Sequence, residues 1–260
     1  MCIRDRKVRW VICQKPFCGG AEGAKAALAL AKACGTKIAV HENFRFQPWY
    51  QEVRRLLDAG VIGAPYQVSF RLRPGDGQGP RAYLDRQPYF QEMPRFLVHE
   101  TAIHWIDTFR FLLGEMTGVF ARLTRLNPAI AGEDAGFIVF DFANGARGLF
   151  DGNRLSDHAA ENRRRTMGEM WIEGAGGTLR LDGDGRLWLR AFAANEEREQ
   201  TFVWQDHLFG GDCVYHCNRS ILEAWRSGHE APTAAELYIR NQEIEGAIYR
   251  SAESGRYIAL

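Results

Sequence analysis

Apolar positions in the first 43 residues form two short runs separated by a helical stretch. Residues 8–13 and 37–40 are apolar runs next to charged residues, a pattern typical of buried strands. Between them, Ala21–Cys34 is rich in Ala and Leu and precedes Gly35, which favours a helix ended by a glycine cap. This order predicts one βαβ unit with two parallel strands.

Chemically active side chains follow both predicted strands. Lys15 comes after the first strand, and His41, Glu42 and Asn43 come after the second. Because ligands bind at the C-terminal ends of parallel strands, we expect these side chains to border a ligand site.

The pattern changes in the rest of the chain. It predicts a helix at residues 48–59, a strand at 66–73 and a Gly-rich loop at 75–80. The later apolar runs, with the turn signals Asn144-Gly145 and Asp184-Gly185, predict a mainly antiparallel sheet. We expect its further strands at residues 119–126, 136–142, 145–150, 170–173, 178–181 and 187–191, and two closing helices at 213–226 and 234–252.

The predicted fold is therefore a piece of parallel α/β structure followed by a larger α+β domain. An ordinary doubly wound domain has more strands than the two found here. No G-x-G-x-x-G stands near the start of the chain. A lone βαβ unit would leave its sheet edges and faces uncovered, so we expect an N-terminal domain that has been cut off.

Composition excludes several classes of protein. The 260 residues carry a net charge of +1, which gives no sign of a nucleic-acid or membrane partner. No apolar run has membrane-spanning length, and the first residues lack a signal-peptide core. The six Cys form no C-x-x-C pair, so we expect reduced thiols in a cytoplasmic protein. Cys213 and Cys217, four apart on a predicted helix, favour a partly buried helix face over a metal site.

Two histidines interrupt the apolar pattern of a helix predicted at residues 94–113. His99 and His104 are five apart, which places them about 140° from each other around an α-helix. The zinc motif H-E-x-x-H has its histidines four apart, on one face. The spacing argues against a metal site.

Glu100 and His104 are four apart, and Asp107 follows three residues later, so these side chains share one face of the predicted helix. Burial would make His104 sensitive to its neighbours and suited to proton transfer. The alternative is a core histidine whose hydrogen bonds are satisfied by an acidic neighbour. The helical pattern alone leaves both open.

Three stretches, in this order, resemble the Gfo/Idh/MocA family of NAD(P)-dependent oxidoreductases. VRWVICQKPF, residues 8–17, is similar to the fifth Rossmann strand and the E-K-P motif after it. Residues 40–70, beginning VHENFRF, resemble the sixth strand, the linker helix and the first strand of the second domain. HETAIHWIDTFRFLLGE, residues 99–115, resembles the D-x-G-x-H-x-x-D helix. Gln14 for Glu, Glu100 for Asp and Ala102 for Gly are departures from these motifs.

The resemblance implies a domain organisation. Residues 1–43 would be the last strands of a Rossmann dinucleotide-binding domain, and residues 44–260 the substrate and oligomerisation domain. The family's first four strands and Gly-rich phosphate loop are absent, and the opening MCIRDR does not fit its fifth strand. We therefore expect a fragment with a spurious start that binds NAD or NADP poorly and is inactive by itself.

The resemblance also implies roles for particular residues. Lys15 would lie beside the nicotinamide and the substrate hydroxyl, with His104 as the acid/base. Glu100 occupies the position of the acidic partner and would orient His104 or bind a substrate hydroxyl. Pro16 would contact the nicotinamide end of the site. Arg45 would meet an anionic group of cofactor or substrate, or else lie on the surface against a neighbouring phenylalanine.

Further residues are candidate substrate contacts. Tyr89, Arg95 and His99 lie near the start of the predicted helix, and Asn153, Arg154 and Asp157 follow a predicted strand. The resemblance implies a sugar, a cyclitol or a related polyol as substrate. It also implies a homo-oligomer formed through the antiparallel sheet. A non-catalytic binding protein of the same fold and a metal-dependent hydrolase are the alternatives, and the histidine spacing disfavours the hydrolase.

Overall fold

The computed structural model describes residues 8–260 of the chain. Its first part is a two-stranded parallel sheet with one helix. β1 (Trp10–Gln14) pairs with β2 (Lys37–His41), and α1 (Ala21–Cys34) connects them. Gly35 has a φ of 66° and ends α1 in the left-handed conformation, which a glycine adopts without steric cost. The predicted βαβ unit is confirmed, and Lys15 and Glu42 follow the C-terminal ends of its strands.

The rest of the chain is built on a nine-stranded sheet in the order β10-β9-β8-β7-β3-β6-β5-β4-β11. All neighbouring strands are antiparallel except β3 and β6, which are parallel. The mainly antiparallel sheet is confirmed. Its strands are β3 (Pro65–Leu72), β4 (Met116–Thr124), β5 (Ala135–Phe142), β6 (Arg147–Asn153), β7 (Gly168–Gly174), β8 (Gly177–Leu181), β9 (Leu187–Ala191), β10 (Arg198–Gln200) and β11 (Ile258–Ala259).

Both hairpin turns predicted from the sequence are present. Gly145 connects β5 to β6 and Gly185 connects β8 to β9, each with a φ of 84°. The two short strands β10 and β11 were not predicted. Each has at most three residues, too few to show an alternating pattern.

Four helices belong to this larger part of the chain. They are α2 (Pro48–Asp58), α3 (Ile103–Leu113), α4 (Phe209–Arg226) and α5 (Ala235–Ser254). Side chains of α3 pack on one face of the sheet, where the ring of Trp105 lies 4.3 Å from that of Phe70 and the ring of Phe109 lies 6.1 Å from that of Phe140. The opposite face leaves Phe137 56% exposed and Val139 38% exposed.

The helix predicted at residues 94–113 is two structures in succession. Leu97–Ala102 form a π-helix, and α3 begins only at Ile103. Glu133 fixes the start of the π-helix because its carboxylate accepts hydrogen bonds from the amides of Phe96 and Val98. A single α-helix over this range was therefore a wrong prediction. The π-helix changes the direction of Glu100 relative to His104.

Cys213 and Cys217 face the interior from α4. Both are fully buried, beside Ile221 and Trp225. Burial raises the pKa of the Cys213 thiol to about 12, and it also raises the pKa of the Cys217 thiol well above its ordinary value. The prediction of a buried helix face is confirmed, and these thiols are protonated at neutral pH. Cys2 lies outside the described residues.

Candidate active site

A cavity of about 220 Å³ lies at the C-terminal ends of β1 and β2. Lys15, Glu100 and His104, the three residues predicted to be catalytic, all border it. They arrive there from the parallel strand pair, the π-helix and α3. Other polar residues around the cavity include His41, Asn43, Asp76, Arg86, Thr101, Arg154 and Arg164.

Lys15 is held at the cavity by Glu100. Its ammonium lies 2.9 Å from Glu100 Oε1 and donates a hydrogen bond of 2.7 Å to the backbone oxygen of the same residue. Both side chains are mostly buried, with 13% and 17% of their surfaces exposed. An ion pair screened from water in this way keeps a positive charge in a fixed place beside the cavity.

His104 is paired with Glu42. Its Nδ1 lies 2.6 Å from Glu42 Oε1, and its ring stacks on Phe44 with centroids 3.8 Å apart and planes 4° apart. The carboxylate fixes one end of the imidazole and the phenyl ring fixes its plane. Neither contact uses Nε2, the atom available for a ligand.

Glu42 is a fully buried carboxylate. Burial by itself would raise its pKa, but the charges of His104 and Lys15 and the hydrogen bonds from His104 and the Phe44 amide lower the pKa of Glu42 overall. A carboxylate that is stabilised in its charged form accepts hydrogen bonds and does not donate them.

The sequence prediction that Glu100 orients His104 does not hold in the structure. Glu100 lies in the π-helix, where hydrogen bonds join residues five apart. Four residues are less than one turn of such a helix, so Glu100 and His104 do not share a face as they would in an α-helix. Glu100 turns to Lys15, and Glu42 contacts the imidazole instead. Asp107 accepts hydrogen bonds inside the helix packing from Arg45 and Asn241.

A second polar network borders the cavity around Arg154, which is 2% exposed. Its guanidinium donates hydrogen bonds to Asp76, to the hydroxyl of Tyr83 and to Thr101. The network fastens the loop after β3 to the end of β6 and to the π-helix. Of the three residues predicted after that strand, Arg154 borders the cavity and Asn153 and Asp157 do not.

The predicted substrate contacts Tyr89, Arg95 and His99 lie away from this cavity. Tyr89 is 52% exposed in a short 3₁₀ turn, Pro88–Gln91. Arg95 and His99 border a different cavity, of about 690 Å³, between α1 and α5. Since His99 is hydrogen-bonded to Glu245 and His104 to Glu42, the two histidines do not converge on one point.

Two residues predicted to contact the cofactor have other partners. Arg45 forms two hydrogen bonds to Asp107, of 2.6 and 2.5 Å, and its guanidinium lies over the ring of Phe111. Pro16 follows Lys15 through a cis peptide bond and directly precedes a 3₁₀ turn, Phe17–Gly19, and it does not border the cavity.

The sequence places Glu42 at a strand end but does not reveal its role. A carboxylate directly after an apolar strand could have been recognised as a buried charge that needs a partner. Asp76 and Tyr83 had no signal, because both lie in a loop without periodicity and reach Arg154 only through the fold.

The cavity has features that fit a nicotinamide group. His41 and Asn43 border it, and each has a buried side-chain atom, Nδ1 and Oδ1 respectively, without a hydrogen-bond partner among the described residues. A carboxamide offers both a donor and acceptors, so it can satisfy such atoms. His41 is the last residue of β2 and Asn43 comes two residues later, at the end of a parallel strand pair where ligands bind.

Comparisons with known proteins agree with this architecture. Residues 50–180 match the model of the GFO/IDH/MocA C-terminal domain. An oxidoreductase from Agrobacterium radiobacter, solved in complex with NAD+, L-tartaric acid and magnesium, superposes with a TM-score of 0.82 at 29% identity. The match covers 95% of this chain and 72% of that one.

Two curated relatives extend the similarity over nearly the whole chain. The D-apiose dehydrogenase of Paraburkholderia graminis is 34% identical over 96% of this chain and 66% of its own length. The D-apiose dehydrogenase of Rhizobium rhizogenes is 31% identical over 96% of this chain and 72% of its own length. The chain thus spans about two thirds of these relatives, and it belongs to the GFO/IDH/MocA family of oxidoreductases.

Proposed function

We propose that this protein takes part in hydride transfer between NAD(P) and a sugar, a cyclitol or a related polyol, with His104 as the acid/base and Lys15 beside the reacting oxygen. The observation that carries the proposal is that both side chains border one cavity and that each is fixed by a carboxylate. A binding protein needs no such pair of proton acceptor and cation.

His104 is arranged to take the hydroxyl proton. With Nδ1 hydrogen-bonded to Glu42, Nε2 is the atom left for the substrate. When the alcohol is oxidised, its O–H proton moves to Nε2, and the buried Glu42 carboxylate stabilises the resulting imidazolium. Reduction runs the same transfer in reverse. General acid–base catalysis of this kind typically contributes about 10²–10⁴-fold to a rate.

Lys15 supplies the positive charge at the reacting oxygen. Two of its contacts go to Glu100, and an ammonium has three donors, so one remains for a substrate oxygen. An alkoxide that develops during C–H cleavage is stabilised by a fixed cation in a site with little water. A bound nicotinamide would accept the hydride from the carbon.

The cavity favours a small substrate. Its volume of about 220 Å³ is below the range of about 300–1,000 Å³ typical of sites for drug-sized ligands. Its border is rich in groups that hydrogen-bond to hydroxyls, including Asn43, Thr101 and Arg154. The activity named for the two D-apiose dehydrogenases supports a monosaccharide as the substrate.

We also propose that the chain contains parts of two domains. Residues 1–43 would contribute to the nucleotide-binding domain and residues 44–260 would form the substrate domain. The parallel pair β1–β2 and the mainly antiparallel sheet support this division. NAD+ in the related Agrobacterium radiobacter structure supports the choice of cofactor class.

The test compares the 260-residue chain with a fusion that places before Val8 the segment that precedes the matched region in the Paraburkholderia graminis relative. Reduction of NAD+ and NADP+ is followed with D-apiose, inositol and other polyols. We expect turnover in the fusion and its loss, by about 10²–10⁴-fold, on His104→Ala. His229→Ala is the matched control because His229 is exposed and does not border the cavity.

The same assay addresses the non-catalytic alternative. If the fusion binds a sugar but reduces neither cofactor with any of the polyols, the chain is a binding protein of this fold. If His104→Ala turns over normally, His104 has no part in the chemistry.

A further inference from the structure

Glu42 has no role in the family motifs found in this sequence. In those motifs the acidic partner of His104 is Glu100, four residues before it in sequence. In the structure that carboxylate belongs to Lys15, and Glu42, which is 62 residues away from His104 in sequence, takes its place. Because Glu42 follows β2, the strand pair and α3 are joined at this contact.

Three polar groups of the described residues lie within hydrogen-bond distance of the Glu42 carboxylate. The Phe44 amide lies 3.3 Å from Oε1, and the Tyr238 hydroxyl donates to Oε2 at 3.5 Å. His104 Nδ1 lies 2.6 Å from Oε1. The Phe44 amide can only donate, and the Tyr238 hydroxyl is placed to donate. Glu42, whose pKa is lowered, is therefore ionised, and the imidazole supplies a proton at Nδ1. An imidazole that is neutral and protonated at Nδ1 has its lone pair on Nε2.

We propose that Glu42 is the positioning residue of this site: it holds His104 in the tautomer with hydrogen on Nδ1, so that Nε2 faces the cavity as a proton acceptor. Glu42 itself contacts neither substrate nor cofactor. It acts through the imidazole, first by selecting the tautomer and then by stabilising the charge that His104 gains with the substrate proton. The inference rests on the proposed function only for its kinetic consequence.

The arrangement separates the tasks of the two carboxylates. Glu100 fixes the ammonium of Lys15 and Glu42 fixes the imidazole of His104, so the two groups do not compete for one carboxylate. Phe44, stacked on the imidazole, opposes a rotation about the Cβ–Cγ bond, which would put Cδ2 in place of Nδ1 beside Glu42. A fixed tautomer in a fixed orientation is what an efficient general base requires.

The first experiment needs neither cofactor nor substrate. Long-range ¹H–¹⁵N correlation spectra of the 260-residue chain, with His104 assigned by its loss in His104→Ala, report which ring nitrogen carries hydrogen at a pH where the ring is neutral. We expect Nδ1–H in the wild type. In Glu42→Met, which keeps an unbranched side chain but removes the acceptor, we expect the Nε2–H form to be populated. His99, hydrogen-bonded to Glu245, is the internal control and should not change.

Glu42→Gln is the second variant. Its amide oxygen can still accept from Nδ1–H but carries no charge, so the tautomer is retained and only the stabilisation of the imidazolium is lost. A wild-type His104 with hydrogen on Nε2, or a Glu42→Met spectrum identical to that of the wild type, would overturn the proposal.

The kinetic experiment uses the fusion described above. We expect Glu42→Met to lower kcat by about 10²–10⁴-fold with little change in KM, and Glu42→Gln to lower it less. In a His104→Ala background, Glu42→Met should cause no further loss, because Glu42 acts only through the imidazole. A purely structural role would lower the rate of His104→Ala as well.

The outcomes distinguish this proposal from the proposed function. If His104→Ala abolishes turnover while Glu42→Met keeps the wild-type kcat, the positioning role of Glu42 is wrong and His104 remains the base. If His104→Ala keeps turnover, the proposed function fails, and the spectra still decide the tautomer.

Discussion

Lys15 reaches from the parallel strand pair to the π-helix, where its ammonium contacts both the carboxylate and the backbone oxygen of Glu100. We predict that Lys15→Met, which keeps the length of the side chain, lowers kcat by about 10²–10³-fold, the usual loss when one group that stabilises an oxyanion is removed. Turnover by the fusion is the measurement. Lys25→Met is the control, because Lys25 lies on α1 with 55% of its side chain exposed. A rate within a few-fold of wild type would remove Lys15 from the chemistry.

The ion pair of Arg45 and Asp107 is predicted to act on stability. Asp107 is 1% exposed, so Arg45→Met leaves a buried carboxylate with Asn241 as a remaining partner. Breaking a buried pair typically costs about 3–5 kcal/mol of unfolding free energy, which urea denaturation of the chain would measure. Arg219→Met removes an exposed pair with Glu223 and should cost less than about 1 kcal/mol. Unchanged stability together with weaker cofactor binding would instead support the cofactor role predicted for Arg45.

His99 and Glu245 are predicted to make stability depend on pH. The hydrogen bond that His99 donates to the Glu245 carboxylate raises the pKa of His99 above its ordinary value of 6.5. The folded state therefore binds the proton more tightly than the unfolded state. The resulting stabilisation is fully present below pH 6.5 and is lost as the pH rises through the raised value. Urea denaturation on both sides of this window should show a smaller pH dependence in His99→Gln than in the wild type. An identical dependence in both proteins would contradict the assignment.

The exposed sheet face is predicted to associate with a second copy of this chain. Val139 is flanked by Phe120 on β4 and Leu149 on β6 in the register of the sheet, and Phe137 lies on the same face. An apolar surface of this kind marks an interaction site. Val139→Asp should shift the chain towards monomer in light scattering at micromolar concentration. Val203→Asp is the control, since Val203 is 99% exposed outside the sheet. A wild type that is already monomeric would refute this prediction.

Cofactor affinity is predicted to be low in the 260-residue chain. A Rossmann domain binds the pyrophosphate on a Gly-rich turn at a helix N-terminus and reads the ribose after its second strand. The parallel sheet of the described residues has two strands, and the sequence contains no G-x-G-x-x-G. Loss of these contacts should weaken binding roughly a thousandfold or more, or about 4 kcal/mol. Calorimetric titration of NAD+ and NADP+ into the chain and the fusion measures the difference. Micromolar binding by the chain alone would contradict the prediction.

The sequence by itself determined the elements with strong local signals. The βαβ unit, the Gly35 cap and the two hairpin turns follow from apolar periodicity and from glycine conformations, which depend on neighbouring residues only. The meeting of Lys15 and His104 in one cavity also followed from sequence, through the motifs and through the rule that ligands lie at the ends of parallel strands.

Only the tertiary structure decided that Glu100 pairs with Lys15 and Glu42 with His104. The helical period placed Glu100 and His104 on one face, but the π-helix, whose start is held by Glu133 from a distant loop, turns Glu100 towards Lys15. Glu42 then fills the position beside the imidazole from another strand. Contacts between residues 62 apart depend on how elements pack, and packing is set by the summed burial of the whole core and not by any local pattern.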